Sequence, residues 1–339
     1  MTRRTHRSRA LVTGAMGFIG SHLVEALLSR DLEVTGLDRR NPHLDPVAAN
    51  NARRFLPQPS FAMITADLLT ADLRRLVGGV DCVFHLAAVP GVRPSWTRFE
   101  DYVSANIEGT SRLLSACAEA GVPRLVYASS SSVYGETSSA SSEGDVAQPI
   151  SPYGVSKLAG EQLSLAYARR PGSALGVTAL RYFTVYGPRQ RPDMATSRVL
   201  AAALTGGEYT LHGDGAQRRE FTYVSDVVDA TIAAATVTEH EAVVNVGGGT
   251  TVSMIDLIAM AREVTGNPVS VRVAPTQFGD VTVTEADLTL ARTVLGYRPK
   301  VDLRTGLSRH VNWLRQLPPE LMNSYVPPAL SQEVAACCV

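Results

Sequence analysis

The sequence predicts an α/β protein built on a doubly wound parallel sheet, with a second, smaller α/β section. Three observations carry this. Short apolar runs alternate with helical patterns up to about residue 182, a glycine-spaced turn follows the first run, and the alternation becomes irregular after residue 187. The chain has 339 residues, 45% apolar and 19% charged, enough for two packed lobes in one folding unit.

In order, the strands are ALVTG from residue 10, EVTGLD from 33, FAMITAD from 61, DCVFHLAA from 81, RLVYASS from 124 and VTALRYF from 177. Runs so evenly rich in Val, Leu and Ala suit strands covered by helices on both faces. Segments 18–28 and 103–120 place apolar residues at helical spacing and supply two of those helices. After residue 187 come loops at GPRQRPD and LHGDGAQRRE, then a helix over 223–236 and a strand over 242–246 that are expected to rejoin the first sheet. The expected division is a first domain over 1–182 with 220–248 returning to it, a second over 183–219 and 249–317, and a loosely held tail over 318–339. The polar stretch 136–149 suits a loop at an active-site edge; its Ser-rich part, 138–144, receives no role from the sequence. No internal repeat is present.

Thirty-two basic residues cancel thirty-two acidic ones, which removes the electrostatic footprint of a general nucleic-acid binder. No window reaches the roughly 18 unbroken apolar residues of a membrane span, and the start, MTRRTHRSRA, carries charge without an apolar signal core. A soluble, cytoplasmic protein with no nucleic-acid or membrane partner is expected. Cys82, Cys117, Cys337 and Cys338 do not form a disulfide framework, and no metal-ligand spacing occurs. The only lysines are Lys157 and Lys300.

Directly after the first strand, TGAMGFIG sets Gly14, Gly17 and Gly20 at G-x-x-G-x-x-G spacing at the start of a helix. Such glycines permit a tight turn and let backbone amides approach a pyrophosphate at the helix N-terminus, as in a Rossmann fold. Asp38 ends the second strand, where a carboxylate bonds the adenosine ribose hydroxyls and disfavours a 2′-phosphate, so NAD is expected over NADP. Arg39 and Arg40 leave the phosphate-bearing form open. Asp67 closes the third strand and either meets the adenine or caps the following helix.

The fifth strand ends in Ser129, Ser130, Ser131 and Ser132; Tyr153 and Lys157 follow in SPYGVSK. Residues four apart share a helix face, so the phenol and the ammonium would point together. A phenol of pKa about 10 is a poor base at neutral pH. A neighbouring ammonium and a positive nicotinamide would lower it, and Ser130 could relay the hydroxyl proton.

On these residues the sequence resembles the extended short-chain dehydrogenase/reductases, in their nucleotide-sugar epimerase and dehydratase branch. The likeness runs from about residue 8 to 315 through TGAMGFIG, HLAA, NIEGTSRLL, SSSSVYG, SPYGVSK, RYFTVYGPRQRPDMA, GDGAQRREFTYVSD and GDVTVTEADLTLARTVLGYRP. It implies a tightly held NAD, a nucleoside diphosphate–sugar substrate and a homodimer built from two helices of each first lobe. It also implies cofactor contacts from Phe18, Ile19, Leu68, Ala87, Ala88 and Asn106 beside those already named.

Dehydratases and UDP-glucuronate decarboxylases of this branch carry Glu where Ser132 stands, and dehydratases carry Asp where Ser131 stands. Epimerisation at C4′ is therefore the leading chemistry. In it, hydride leaves C4′ for NAD, the 4-keto sugar rotates, and hydride returns to the opposite face. Thr184 in FTVYGP, Arg191 in RPDMA and Gln277 in QFGDV are similar to UDP-glucuronate 4-epimerases, with Arg191 expected on the sugar carboxylate and Thr184 and Ser130–Ser132 adding hydrogen bonds. Alternatively Arg191 pairs with Asp193, and the substrate is UDP-glucose or UDP-N-acetylglucosamine. By the same resemblance Arg219 meets the diphosphate, and Leu211, His212 and Asp280 surround the uridine; His212 reads equally as an exposed loop histidine. Arg93 serves the substrate or its own loop. A dinucleotide-binding regulator without turnover is disfavoured, because Ser130, Tyr153 and Lys157 are all present.

Overall fold

A computed structural model describes residues 7–276, 279 and 281–326. The apolar runs become strands β1 (Arg9–Thr13), β2 (Glu33–Asp38), β3 (Phe61–Thr65), β4 (Cys82–His85), β5 (Arg124–Ser130), β6 (Gly176–Tyr182) and β7 (Glu241–Val246). They form one seven-stranded sheet in the order β7-β6-β5-β4-β1-β2-β3, every neighbour parallel. Strand β7 pairs with β6 from Glu241 opposite Val177 to Val246 opposite Tyr182. The chain direction of winding reverses between β1 and β4, where Thr13 faces His85, and a crevice opens outside those strand ends.

Alternation along β1 shows why both faces are covered. Ala10 and Val12 enter one core layer with Leu23, Val24 and Leu27 of α1 (Phe18–Leu28) and Val224, Val227 and Val228 of the helix Val224–Ala234. Leu11 enters the other with Leu113 and Leu114 of the helix Gly109–Ala120 and Leu165 of the helix Pro152–Arg169. Each such aliphatic side chain contributes roughly 1.5–3 kcal/mol on burial. The first layer runs on without a break into Leu200, Leu257, Leu307 and Val311 of the helices Ala195–Thr205, Met254–Thr265 and Leu303–Leu314. The two sections therefore share one core.

The helix expected over 103–120 has two parts, a π turn over Val103–Glu108 and then Gly109–Ala120. The wider turn carries Asn106, which is 1% exposed and accepts the Val89 amide at 2.7 Å while donating to the Val89 carbonyl at 3.1 Å. Those bonds offset the irregular turn. The expected loose tail is docked over its described part: Tyr325 is buried and donates to the Gln190 carbonyl at 2.7 Å. The polar loop after Tyr134 also has a structural task. Glu136 accepts the Thr282 amide on both carboxylate oxygens, and Ser141 exchanges backbone bonds with Glu285 and Asp287, which fastens the segment 282–287 to the sheet lobe. No described helix is long and apolar enough to cross a membrane.

Candidate active site

The glycine turn is built for close backbone approach. Gly14 has φ +72°, and a Cβ there would lie 2.9 Å from the Ala87 amide; a Cβ on Gly20 would run into the Gly14 carbonyl. No side chain caps α1, so its first-turn amides remain for a ligand. Gly14, Gly17, Phe18, Ile19 and Gly20 line a cavity of about 800 Å³ at the crevice. Asp38 lines it too, oriented by the Met16 amide at 2.9 Å and the Arg40 amide at 3.0 Å, with Arg40 Nε 3.6 Å away. Asp67 and Leu68 follow along the same wall. Asp67 accepts the Leu69 amide in a turn, while Asp72 caps the next helix, so the capping alternative for Asp67 falls away. Ala87 and Ala88 complete this end. A glycine cradle beside a fixed carboxylate fits a dinucleotide.

At the other end, Ser130 closes β5 and caps a short turn through the Ser132 amide at 3.1 Å. Its hydroxyl also acts on the Tyr153 phenol, favouring the ionised form. Tyr153 stands in the first turn of Pro152–Arg169, where Ser151 Oγ accepts the Gly154 amide at 3.1 Å and Ser95 Oγ accepts the Tyr153 amide at 3.1 Å. Lys157 lies one turn on, its Nζ 4.4 Å from the centre of the Tyr127 ring. Ser130, Ser131, Ser132, Tyr153, Lys157 and Thr184 all line the cavity.

Burial raises the Tyr153 phenol, and the Ser130 hydroxyl and then the Arg191 charge pull it down. Burial lowers the Lys157 ammonium to about 7, with Glu161 opposing. Arg191 lines the cavity and forks onto Asp193, Nε to Oδ1 at 2.8 Å and Nη2 to Oδ2 at 2.6 Å.

Other expected residues lie differently. Asn106 is not on the cavity wall but behind it, tying Val89 to Ser156, whose hydroxyl donates to the Tyr153 carbonyl. Arg219 lines the cavity and donates to the Arg218 and Thr282 carbonyls. Arg93 begins the turn Arg93–Trp96 and is exposed, next to the lining residue Val92 but not itself in the lining. Leu211 is buried in the core and His212 contacts the Pro275 carbonyl at 3.1 Å, on the strand Glu208–His212 that pairs with Ser270–Ala274; neither is among the residues lining the cavity. Asp280 and Gln277 lie outside the described residues.

Sequence reasoning missed Arg189, Ser95 and Glu161. Arg189 adopts φ 68°, lines the cavity and pairs with Glu25 of α1 at 2.6 Å, joining the loop after β6 to the glycine-turn helix. Glu161 forms a buried pair with Arg181 at 2.7 Å and accepts Ser129 Oγ at 2.6 Å, locking the tyrosine helix to the sheet. Only its i+4 spacing from Lys157 signals it in the sequence.

Known proteins resemble this chain over most of its length. A Bacillus subtilis (strain 168) protein named as an uncharacterised UDP-glucose epimerase is 41% identical over 314 residues, covering 91% of this chain and 98% of its own. The solved structures of MoeE5, one with UDP-glucose and NAD and one with UDP-glucuronic acid and NAD, are 45% identical with TM-score 0.85, covering 91% of this chain and 99% of theirs. The UDP-glucuronic acid 4-epimerase of Bacillus cereus, solved with UDP-glucuronic acid and NAD, is 40% identical with TM-score 0.86 over 91% of this chain and 99% of its own. Residues 10–247 match the NAD dependent epimerase/dehydratase family, and with relatives this similar over nearly their whole length the chain belongs to that family.

Proposed function

We propose that the protein is a UDP-sugar 4-epimerase whose substrate is UDP-glucuronate, interconverted with UDP-galacturonate. The observation that carries this is the meeting, in one cavity, of the Ser130–Tyr153–Lys157 set with the guanidinium of Arg191. The B. cereus and MoeE5 structures with UDP-glucuronic acid support it. NAD, held by the glycine turn, Asp38 and Lys157, supplies the hydride acceptor and donor when bound. The chain's own residues handle the proton and the geometry. Tyr153 takes the proton of the C4′ hydroxyl and returns it, Ser130 holds that hydroxyl and the phenol together, and Arg191 with Thr184 holds the sugar carboxylate. A 4-keto uronic acid is a β-keto acid and loses carbon dioxide when its carboxylate bond aligns with the carbonyl, so a fixed carboxylate protects the product. Ser131 and Ser132 offer no carboxyl group for elimination.

Arg219 is assigned to the diphosphate, with 183–219 and 249–317 forming the substrate section and 220–248 belonging to the sheet lobe. A homodimer would cover the exposed Trp96, Phe99, Val103 and Val155 on the helical face next to Pro152–Arg169. A cytoplasmic location fits a nucleotide-sugar substrate. The second reading, UDP-glucose, is favoured by the Arg191–Asp193 pair, which satisfies the arginine without a sugar carboxylate. Purified protein incubated with UDP-glucuronate and no added NAD should give UDP-galacturonate by NMR. Conversion of UDP-glucose alone would reverse the order of the two readings.

A further inference from the structure

The cavity holds its own carboxylate where a uronate would bind. Arg191 presents two forked edges for a carboxylate, and Asp193 already takes the Nε–Nη2 edge with both oxygens, at 2.8 and 2.6 Å. Both residues line the cavity; the arginine side chain is 33% exposed and the aspartate 59%. Arg191 Nη2 also lies near Gly91, beside the Tyr102–Tyr153 ring pair, so the fork is at the tyrosine end of the cavity.

Resting on the UDP-glucuronate reading, we propose that Asp193 is a specificity-determining residue: an internal carboxylate that competes with the sugar carboxylate for Arg191. An acid sugar must displace Asp193 from the fork or share the guanidinium with it, against the repulsion between two carboxylates. A neutral sugar leaves the pair closed and meets a site of little net charge. Asp193 therefore narrows the preference for the acid sugar and lets one cavity accept both, a selectivity set by repulsion as well as attraction. Because the pair is partly open to solvent, the effect is modest and sensitive to salt.

The test is calorimetric titration of the wild type, Asp193→Asn, Asp193→Ser and Asp193→Glu with UDP-glucuronate and with UDP-glucose. In the Asn and Ser variants the ratio of the two dissociation constants should move roughly three- to tenfold toward UDP-glucuronate. Asp193→Glu, which keeps the charge, should stay within about twofold of the wild-type ratio. An unchanged ratio in both neutral variants, or a shift toward UDP-glucose, overturns the proposal and makes Asp193 a support that holds Arg191 in place. If the wild type binds neither sugar, the functional reading fails before any substitution is made, and the proposal fails with it.

Discussion

Lys157 shows how much a single buried cation can shape the site. It is 4% exposed, and burial lowers its ammonium to about 7 from an ordinary value of 10.5. Between those values the unfolded chain holds a proton that the folded chain does not, so this group's contribution to stability improves as pH rises from 7 toward 10.5 and is least favourable below 7. Lys157→Met in protein stripped of dinucleotide should therefore raise stability at pH 6–7, by roughly 1–3 kcal/mol, while turnover is lost. Urea unfolding at pH 6.5 and pH 9.5 checks it, the gain shrinking at the higher pH. Equal gains at both would mean that the lysine is not strained by burial. Tyr153 gives the complementary result. Tyr153→Phe removes the proton acceptor and little contact area, so UDP-sugar affinity should hold within a few fold while kcat falls by at least roughly 10²–10⁴. A phenylalanine variant turning over near the wild-type rate would remove the tyrosine from the mechanism.

At the scale of elements, the site is a junction of helix starts and strand ends held by a few remote side chains. The π turn Val103–Glu108 brings Asn106 against Val89 and Ser156, and through Ser156 against the carbonyl of Tyr153. Asn106→Ala leaves the Val89 amide and carbonyl without that partner, at a cost of about 2–4 kcal/mol, and loosens the cavity wall between Ala87 and Val92. Thermal unfolding should show the loss, and the purified variant should retain less dinucleotide than the wild type. Full retention with a lower Tm would confine Asn106 to stability. The glycine turn, Asp38, Ser130, Tyr153 and Lys157 were legible in the sequence because each depends on spacing within one strand–turn–helix step. The role of Asn106 was not, because the partner Ser156 is 50 residues distant, as Ser95 is 58 from Tyr153. For the same reason the loop 138–144 carried no meaning until Ser141 was found against 285–287. Leu211 and His212 sit on a strand whose pairing with Ser270–Ala274 joins residues about 60 apart, a partnership that no local spacing signals.

For the whole molecule, the balance of buried histidines decides how the fold meets acid. His22, His85 and His310 are each lowered by burial to about 3. His22 donates to the Pro188 carbonyl at 2.9 Å, joining α1 to the loop after β6. His85 lies between Thr13 and Thr110; Thr110 donates to the Asn106 carbonyl, so the ring's Nε2–H points at Thr110 and its Nδ1 accepts from Thr13. His310 has no partner for either ring nitrogen among the described residues. Burial raises Glu220 to about 7, so between about 4.5 and 7 the folded chain holds a proton there that the unfolded chain does not, which opposes one histidine. Glu143 and Asp226 are also raised by burial, while Glu119, Asp193, Asp287 and Asp302 are lowered and act at more acid pH. Below pH 6.5 the unfolded chain binds protons on three histidines that the folded chain leaves neutral, and stability falls with pH until about 3. Three histidine protons less the one on Glu220 leave about two, a slope of roughly 3 kcal/mol per pH unit between about pH 4.5 and 6.5, so a domain of ordinary stability should unfold in acid near pH 4. His310 isolates the effect, since replacing an unpartnered buried ring with an apolar side chain of similar volume removes a desolvated polar group and breaks no bond. His310→Leu should raise stability at pH 7 by about 1–2 kcal/mol and reduce the acid slope by about one proton. Urea unfolding across pH 4.5–7.5 measures both. An unchanged slope with lowered stability would mean that His310 is protonated or partnered in the fold, and the acid limb would then belong to other groups.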